Sequence, residues 1–360
     1  MDAIFDRPMK RLGFGFMRLP MNGDQVDIVQ TNAMVDTYLQ RGFCYFDTAH
    51  GYLDGKSELA LKTCLTSRYP RDRYLLADKL SSLFFNSQEE IRPLVDKQLQ
   101  ACGVEYFDYY LMHAMSQARF PKYRQLQVPQ TLAQLKQEGK IRHIGMSFHD
   151  KAQVLDEILS VCPEIEFVQI QFNYLDYDDE KVESYKCYQV CRKHHKPVFI
   201  MEPVKGGALV NLPAAGEKLL RRLSDDSNAS YAIRFAAGFE GVAMVLSGMS
   251  SLEQVEDNTD FMADFQPLSQ QEQQTLAKIR TIIRNQGLIG CTNCRYCTEV
   301  CPQAIPIPEL FAAVNARQQG QPVPPVNLDF TCLQCGQCED ACPQKLNIRE
   351  LLIVADMELD

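Results

Sequence analysis

Eight of the fourteen cysteines fall into two runs near the C-terminal end of the chain. Cys291, Cys294, Cys297 and Cys301 are followed by Pro302, and Cys332, Cys335, Cys338 and Cys342 by Pro343. Both runs read C-x2-C-x2-C-x3-C-P, the spacing that lets three thiolates wrap one face of an iron–sulfur cubane while the fourth reaches elsewhere. Zinc ribbons use paired C-x2-C knuckles rather than four-cysteine runs ending in Cys-Pro, so zinc is the weaker reading. Where two clusters share this spacing, the fourth cysteine of each run serves the other cluster. That assigns Cys291, Cys294, Cys297 and Cys342 to one [4Fe–4S] cluster, and Cys332, Cys335, Cys338 and Cys301 to a second. The other six cysteines, Cys44, Cys64, Cys102, Cys162, Cys187 and Cys191, are scattered and read as buried packing.

A second set of reactive residues recurs at regular places upstream. Asp47 ends CYFD, Lys79 ends YLLADK, His113 ends YYLMH and Ser147 ends IRHIGMS; Gln169 lies in FVQIQF, and Tyr52 follows Asp47 in a loop. The elements that must carry them alternate. Apolar, β-branched or aromatic runs at 12–17, 43–48, 74–79, 107–113, 141–147, 167–172, 198–201 and 242–247 read as strands. Helix-like segments at 27–41, 88–102, 130–138, 151–159 and 179–194 lie between them. Strand–helix alternation implies a parallel sheet. Eight such units favour a closed (β/α)8 TIM barrel, and no Gly-x-Gly-x-x-Gly follows the first strand to suggest a dinucleotide-binding open sheet. In such a barrel the strand C-termini form the active-site face, where these polar groups would converge.

With 360 residues the chain exceeds one barrel by about a hundred. The expected division is a barrel over 1–265, a linking helix over 266–287 and a small, mostly helical cluster domain over 288–360. Ser269 and Glu272 form a capping box for the linking helix, with Leu276, Ile279 and Ile283 as its apolar stripe. Gly287 and Gly290 end it. Residues 308–317 between the cysteine runs look helical, and 319–325 form a Gly/Pro-rich loop. The cluster domain therefore resembles the α-helical ferredoxin modules of respiratory and heterodisulfide-reductase subunits more than the compact ferredoxin. The net charge of −9, without a long basic run, argues against nucleic acid and anionic membranes. No signal peptide or membrane-spanning run is legible, so a cytoplasmic location is expected, where clustered cysteines are metal ligands rather than disulfides.

FDTAHGY followed by DGKSE resembles the signature of the aldo-keto reductases around their catalytic Asp and Tyr. LMHA, IRHIGMSFH and VQIQFNYL resemble later motifs of that family, and the similarity spans most of residues 10–260. With the cysteine runs, the chain resembles the iron–sulfur branch. The resemblance implies a tetrad of Asp47, Tyr52, Lys79 and His113. The roles have independent physical sense. A phenol titrates near 10, too high for ready proton donation at neutral pH, and a cation beside it, Lys79 oriented by Asp47, would lower it. His113 would hydrogen-bond the carbonyl oxygen while Tyr52 protonates it as hydride arrives from NAD(H) or NADP(H).

By the same resemblance Ser147 and Gln169 would hold the nicotinamide carboxamide, and Lys205, Gly206 and Gly207 would lie near the pyrophosphate. Ser247 and Gly248 open the segment SGMSSLEQVEDN. There Ser250 and Glu253 read as a helix N-cap and box partner whose free N–H groups suit a phosphate, and Asp257 and Asn258 would face the adenine. Three positions depart from the family pattern. Phe148 and His149 follow Ser147 where Asn is usual. Met201 stands in place of the aromatic that stacks on the nicotinamide. Gly248 and Gln254 replace the basic residues of NADPH-selective members, which removes charge-assisted bonds to a 2′-phosphate. A barrel phosphate site has the chemistry to accept FMN, but no flavin motif is present.

The expected activity is interconversion of a small-molecule carbonyl and its alcohol, with the clusters relaying electrons to or from a redox partner protein. Two alternatives remain: an electron-transfer protein whose barrel is a docking scaffold, and clusters that are purely structural or oxygen-sensing. Because the cluster domain follows where the family's usual C-terminal tail closes the pocket, it is expected to form part of the pocket wall.

Overall fold

A computed structural model describes residues 4–5 and 9–359. Its centre is a closed barrel of eight parallel strands. These are β1 (Leu12–Gly15), β2 (Tyr45–Asp47), β3 (Leu75–Leu80), β4 (Phe107–Met115), β5 (Ile141–Phe148), β6 (Phe167–Gln171), β7 (Val198–Met201) and β8 (Val242–Ser247). Each pairs with the next in chain order, and β8 closes on β1 through Leu12↔Val245, Gly13↔Leu246 and Phe14↔Ser247. The strands read as nearly unbroken apolar runs because both faces are covered, one by the barrel interior and one by helices.

Helices Ile28–Gln40, Lys56–Leu61, Ile91–Cys102, Val128–Gln137, Ala152–Val161, Ser184–Lys193 and Asn228–Ala237 fill the crossovers, and Leu252–Ala263 follows β8. Buried Tyr38 ties the first helix to the barrel by donating its hydroxyl to the carbonyls of Leu12 and Tyr45. The barrel floor is aromatic. Tyr45, Tyr109, Phe167 and Phe199 fill it, with Phe5 stacked on Phe199 from below. The floor leaves no room at Gly145, where a Cβ would lie 2.4 Å from the Phe167 ring.

Several strands end differently from expectation. β1 stops at Gly15 because Phe16–Arg18 turns into a 3-10 helix, which carries Arg18 over the barrel mouth. β4 and β5 run on to Met115 and Phe148. The linking helix is Gln270–Arg284, opened by the expected capping box of Ser269 and Glu272. It buries Leu276 and Ile279 against Leu209, Leu220 and Tyr174. Beyond it come the short helices Tyr296–Glu299, Ile307–Gln318, Gln337–Ala341 and Ile348–Leu359. They share a small core of Ile305, Ile307, Leu310, Phe311, Val314, Ile348 and Leu352, into which Cys297, Cys338 and Cys342 are built. Residues 319–336 have no regular structure. This C-terminal unit folds back over the mouth of the barrel. Among the described residues, no helix is long and apolar enough to cross a membrane.

Candidate active site

The ends of β2, β3 and β4 bring Asp47, Lys79 and His113 together, and the loop after β2 adds Tyr52. Lys79, fully buried, donates to Asp47 Oδ1 at 2.6 Å and to the Thr48 carbonyl at 2.7 Å. Burial pushes the Asp47 carboxyl up, with Lys79 opposing the shift. Asp47 Oδ2 has no hydrogen-bond partner among the described residues. The Lys79 ammonium lies 4.8 Å from the centre of the Tyr52 ring, against its face. This corrects one expectation. In this state burial and the nearby Asp47 carboxylate hold the Tyr52 phenol well above its usual range, because the carboxylate that orients Lys79 also repels a phenolate. His113 is held well below the usual imidazole range, by burial first and Lys79 second, so its ring is neutral. Ser81 Oγ lies 2.5 Å from His113 Nδ1. With the hydroxyl donating there, the ring proton sits on Nε2 and points into the mouth.

The atom it meets comes from the cluster domain. The hydroxyl of Tyr296 lies 3.2 Å from His113 Nε2 and is also hydrogen-bonded to Tyr52. The rings of Tyr52 and Tyr296 each meet His113 edge-on at 5.9 Å. Glu299 and Val300 line the same pocket, as do Ser82, Phe84 and Arg119 from the barrel loops. The cluster domain is thus part of the pocket wall, as expected. The free volume is about 30 Å³, room for a water or two. Tyr296 was not singled out by its sequence context, although one signal existed: the first run has Arg295–Tyr296 where the second has Gly336–Gln337.

The residues expected to hold a dinucleotide divide into two groups. At the nicotinamide end, Ser147 Oγ accepts from the Ala114 N–H at 2.8 Å, leaving its own proton to give. Gln169 donates weakly to the Met201 sulfur at 3.6 Å, and its buried Oε1 has no partner among the described residues. An orphaned acceptor beside a serine hydroxyl fits a carboxamide. The residues expected near a pyrophosphate are covered by the cluster domain. Lys205 is buried, paired with Asp176 at 2.7 Å and donating to Gln344 of the cluster domain at 2.6 Å. A Cβ on Gly206 (φ +61°) would lie 2.7 Å from the Thr292 carbonyl oxygen, and Gly207 also has positive φ. Arg18 donates to that same carbonyl at 2.6 Å and lies 3.7 Å from Glu202. Its stem also lies against Gly248.

Around the helix Leu252–Ala263 the expectations need correcting. The N-cap is Ser251, whose Oγ accepts from Gln254 N; Ser250 instead donates to the Arg18 carbonyl, and Glu253 forms no box. The Gln254 side chain accepts from Ser250 N, so it is committed locally. Asn258 is buried and donates to Ser247 Oγ at 2.9 Å, while Asp257 is half-buried and hydrogen-bonded to Ser227. His149, one of the family departures, is half-buried, and desolvation holds its ring down at about 3.

In the cluster domain, Cys291, Cys294, Cys297 and Cys342 line one small cavity together with Ile307, Phe311 and Ile348. Burial pushes the Cys297 thiol up to about 12, with Cys291 and Cys342 adding to the effect. Four thiols facing one apolar cavity are the donor set of an iron–sulfur cubane. Cys332 lies near Cys338; Cys335 is exposed and Cys301 half-buried. Of the scattered cysteines, all but half-buried Cys44 are buried.

Comparison with known proteins agrees with this architecture. Residues 11–281 match the aldo/keto reductase family, and residues 290–346 match a 4Fe-4S dicluster domain. The NADH-specific methylglyoxal reductase of Escherichia coli is 28% identical over 231 residues, covering 57% of this chain and 66% of that protein. The chain thus spans just under two thirds of that relative. The L-galactose dehydrogenase of Arabidopsis thaliana is 23% identical over 78% of this chain and 93% of its own. Among solved structures, the holo form of aldo-keto reductase AKR11C1 from Bacillus halodurans superposes with a TM-score of 0.62 at 26% identity, over 75% of this chain and 91% of that one. With three quarters of its length matched and the eight-stranded barrel in place, the chain belongs to the aldo/keto reductase family, extended at its C-terminal side by a 4Fe-4S dicluster domain.

Proposed function

We propose that the protein interconverts a small carbonyl compound and its alcohol at the Asp47–Tyr52–Lys79–His113 site, using a nicotinamide cofactor. The observation that carries this reading is the convergence of a phenol and a neutral imidazole on one oxygen atom, the Tyr296 hydroxyl, above a buried lysine–aspartate pair. A substrate carbonyl oxygen in that position accepts from His113 Nε2–H. Tyr52 supplies the proton as negative charge develops, and Lys79 stabilises the phenolate left behind. Desolvation strengthens each of these terms. The nicotinamide, when bound, supplies the hydride. Gln169 Oε1 and the Ser147 hydroxyl would hold its carboxamide, and Arg18 is a cation beside the phosphate corridor. NADH use is supported by Gly248 and Gln254, which offer no charge to a 2′-phosphate, and by the NADH specificity of the E. coli relative.

The proposed cluster ligands are Cys291, Cys294, Cys297 and Cys342 for one cluster and Cys332, Cys335, Cys338 and Cys301 for the other. The shared cavity of the first four supports this crosswise division. The proposed domains are 1–265, 266–287 and 288–360. Electron relay to a redox partner protein is supported by the position of Tyr296 between two cluster cysteines and the tetrad. A second reading, in which the barrel is only a scaffold for electron transfer, draws on Thr292 covering the pyrophosphate corridor.

Replacing Tyr52 with Phe tests the first reading. NADH-dependent reduction of a small aldehyde should fall about 10²–10⁴-fold in kcat/KM, with the clusters' visible absorption unchanged. Undiminished turnover would remove Tyr52 from the chemistry.

A further inference from the structure

The loop from Cys291 to Cys297, with the turn after Cys342, makes three contacts with the barrel site. The Tyr296 hydroxyl lies 3.2 Å from His113 Nε2 and hydrogen-bonds Tyr52. Thr292 lays its carbonyl against the backbone of Gly206 and accepts from Arg18. Gln344, two residues beyond Cys342, holds Lys205 and also exchanges hydrogen bonds with Gln171. The first contact sits where a substrate oxygen belongs, and the other two where a pyrophosphate would pass. The geometry is that of a bound alcohol. The Tyr296 hydroxyl receives a hydrogen bond from His113 and donates one to Tyr52, as a product hydroxyl would.

We propose that the loop Cys291–Cys297 is an internal occupant of the barrel site, with Tyr296 competing with the substrate for Tyr52 and His113 and Thr292 closing the dinucleotide corridor. Tyr296 is thereby a specificity-determining residue. A carbonyl compound enters only by displacing it, and the ring limits the size of what fits. The cysteines at 291, 294 and 297 would pin this loop to the first cluster site. An internal competitor lowers apparent affinity by the fraction of molecules in which it is withdrawn. This inference rests on the proposed carbonyl site but is tested by binding, independently of turnover.

The experiment is an anaerobic fluorescence titration of the full-length, cluster-loaded protein with NADH, for wild type, Tyr296→Phe and Tyr296→Ala. Iron content and visible absorption verify the clusters in each. Loss of the hydroxyl removes two hydrogen bonds from the closed state, so Tyr296→Phe should bind NADH several-fold tighter, and Tyr296→Ala about tenfold tighter. Where turnover is measurable, KM for a small aldehyde should fall with kcat little changed, and Tyr296→Ala alone should accept bulky aromatic aldehydes. Unchanged or weaker NADH binding in both variants overturns the proposal, as does the absence of NADH binding in all three forms. If Tyr296 instead donated to the substrate, Tyr296→Phe would raise KM. Tighter binding without turnover in any form would overturn the proposed reaction and leave this inference standing.

Discussion

The barrel and the cluster domain meet over one site but are held together by different means. The barrel buries a continuous apolar core between its strands and helices, with an aromatic floor whose rings touch at 4.5–5.9 Å. Its stability follows from buried area and needs no cofactor. The cluster domain has four short helices and one small apolar core, and three of its cysteines are part of that core. A unit of about seventy residues with an unstructured stretch at 319–336 is near the size at which an apolar core alone becomes marginal. The difference teaches where metal matters for folding: little in the barrel, much in the tail.

The most drastic way to break this comparison is to remove a ligand from the first cavity. Cys294→Ser should leave the barrel's thermal transition in place but abolish protection of the tail. Limited proteolysis should cut within 319–336 much faster than in the loaded protein, because metal-binding free energy is folding free energy in such units. Equal protease resistance with and without iron would show that the tail folds on its apolar core, and the contrast with the barrel would disappear.

The barrel has its own point of fragility. Lys79 and Asp47 are both buried, and each is the other's counter-ion. Asp47→Asn leaves the lysine in the interior with only the Thr48 carbonyl and a neutral amide. Breaking a buried pair from one side costs about 3–5 kcal/mol. Chemical denaturation should show that loss in the barrel transition alone, with the tail's iron content unchanged. A loss below about 1 kcal/mol would mean that water reaches the pair and that the site is less dry than its burial indicates.

Much of the barrel was legible in the sequence. Parallel strands covered on both faces leave unbroken apolar runs, and β7 and β8 were read to the residue. Asp47, Lys79, His113, Ser147 and Gln169 were legible because strand ends are where a barrel places its chemistry. What escaped was set by tertiary docking or by local choices between near-equivalents. Tyr296 meets His113 across 183 residues of chain, a contact that no local pattern encodes. Ser250 and Ser251 are adjacent and equally suited to cap a helix. Ser251 takes the role because its backbone is extended (φ −147°, ψ 162°), while Ser250 is drawn to the Arg18 carbonyl. Arg18 itself reaches the site because the first strand yields to a 3-10 turn at Phe16.

The smallest expected effect lies on the outer side of β3, where the barrel buries two carboxyls side by side. Glu58 and Asp78 are buried carboxyls hydrogen-bonded to each other, with Cys102 beside Asp78 and His50 against Glu58. Burial pushes Glu58 up to about 7, against the hydrogen bond from Asp78, and burial together with the Glu58 charge raises Asp78 well above its ordinary range. The folded state therefore keeps a proton that the unfolded chain releases near its ordinary 4.5. Stability from this proton is fully present below that value and is lost as pH rises through about 7. The barrel transition should fall by several degrees between pH 5 and pH 8, the reverse of the usual behaviour of paired carboxylates. Glu58→Gln, which keeps the shape and removes one charge, should flatten that slope. A pH dependence identical in the variant would place the titrating group elsewhere, and would mean that the barrel side holds its buried charges as independently of pH as its apolar floor.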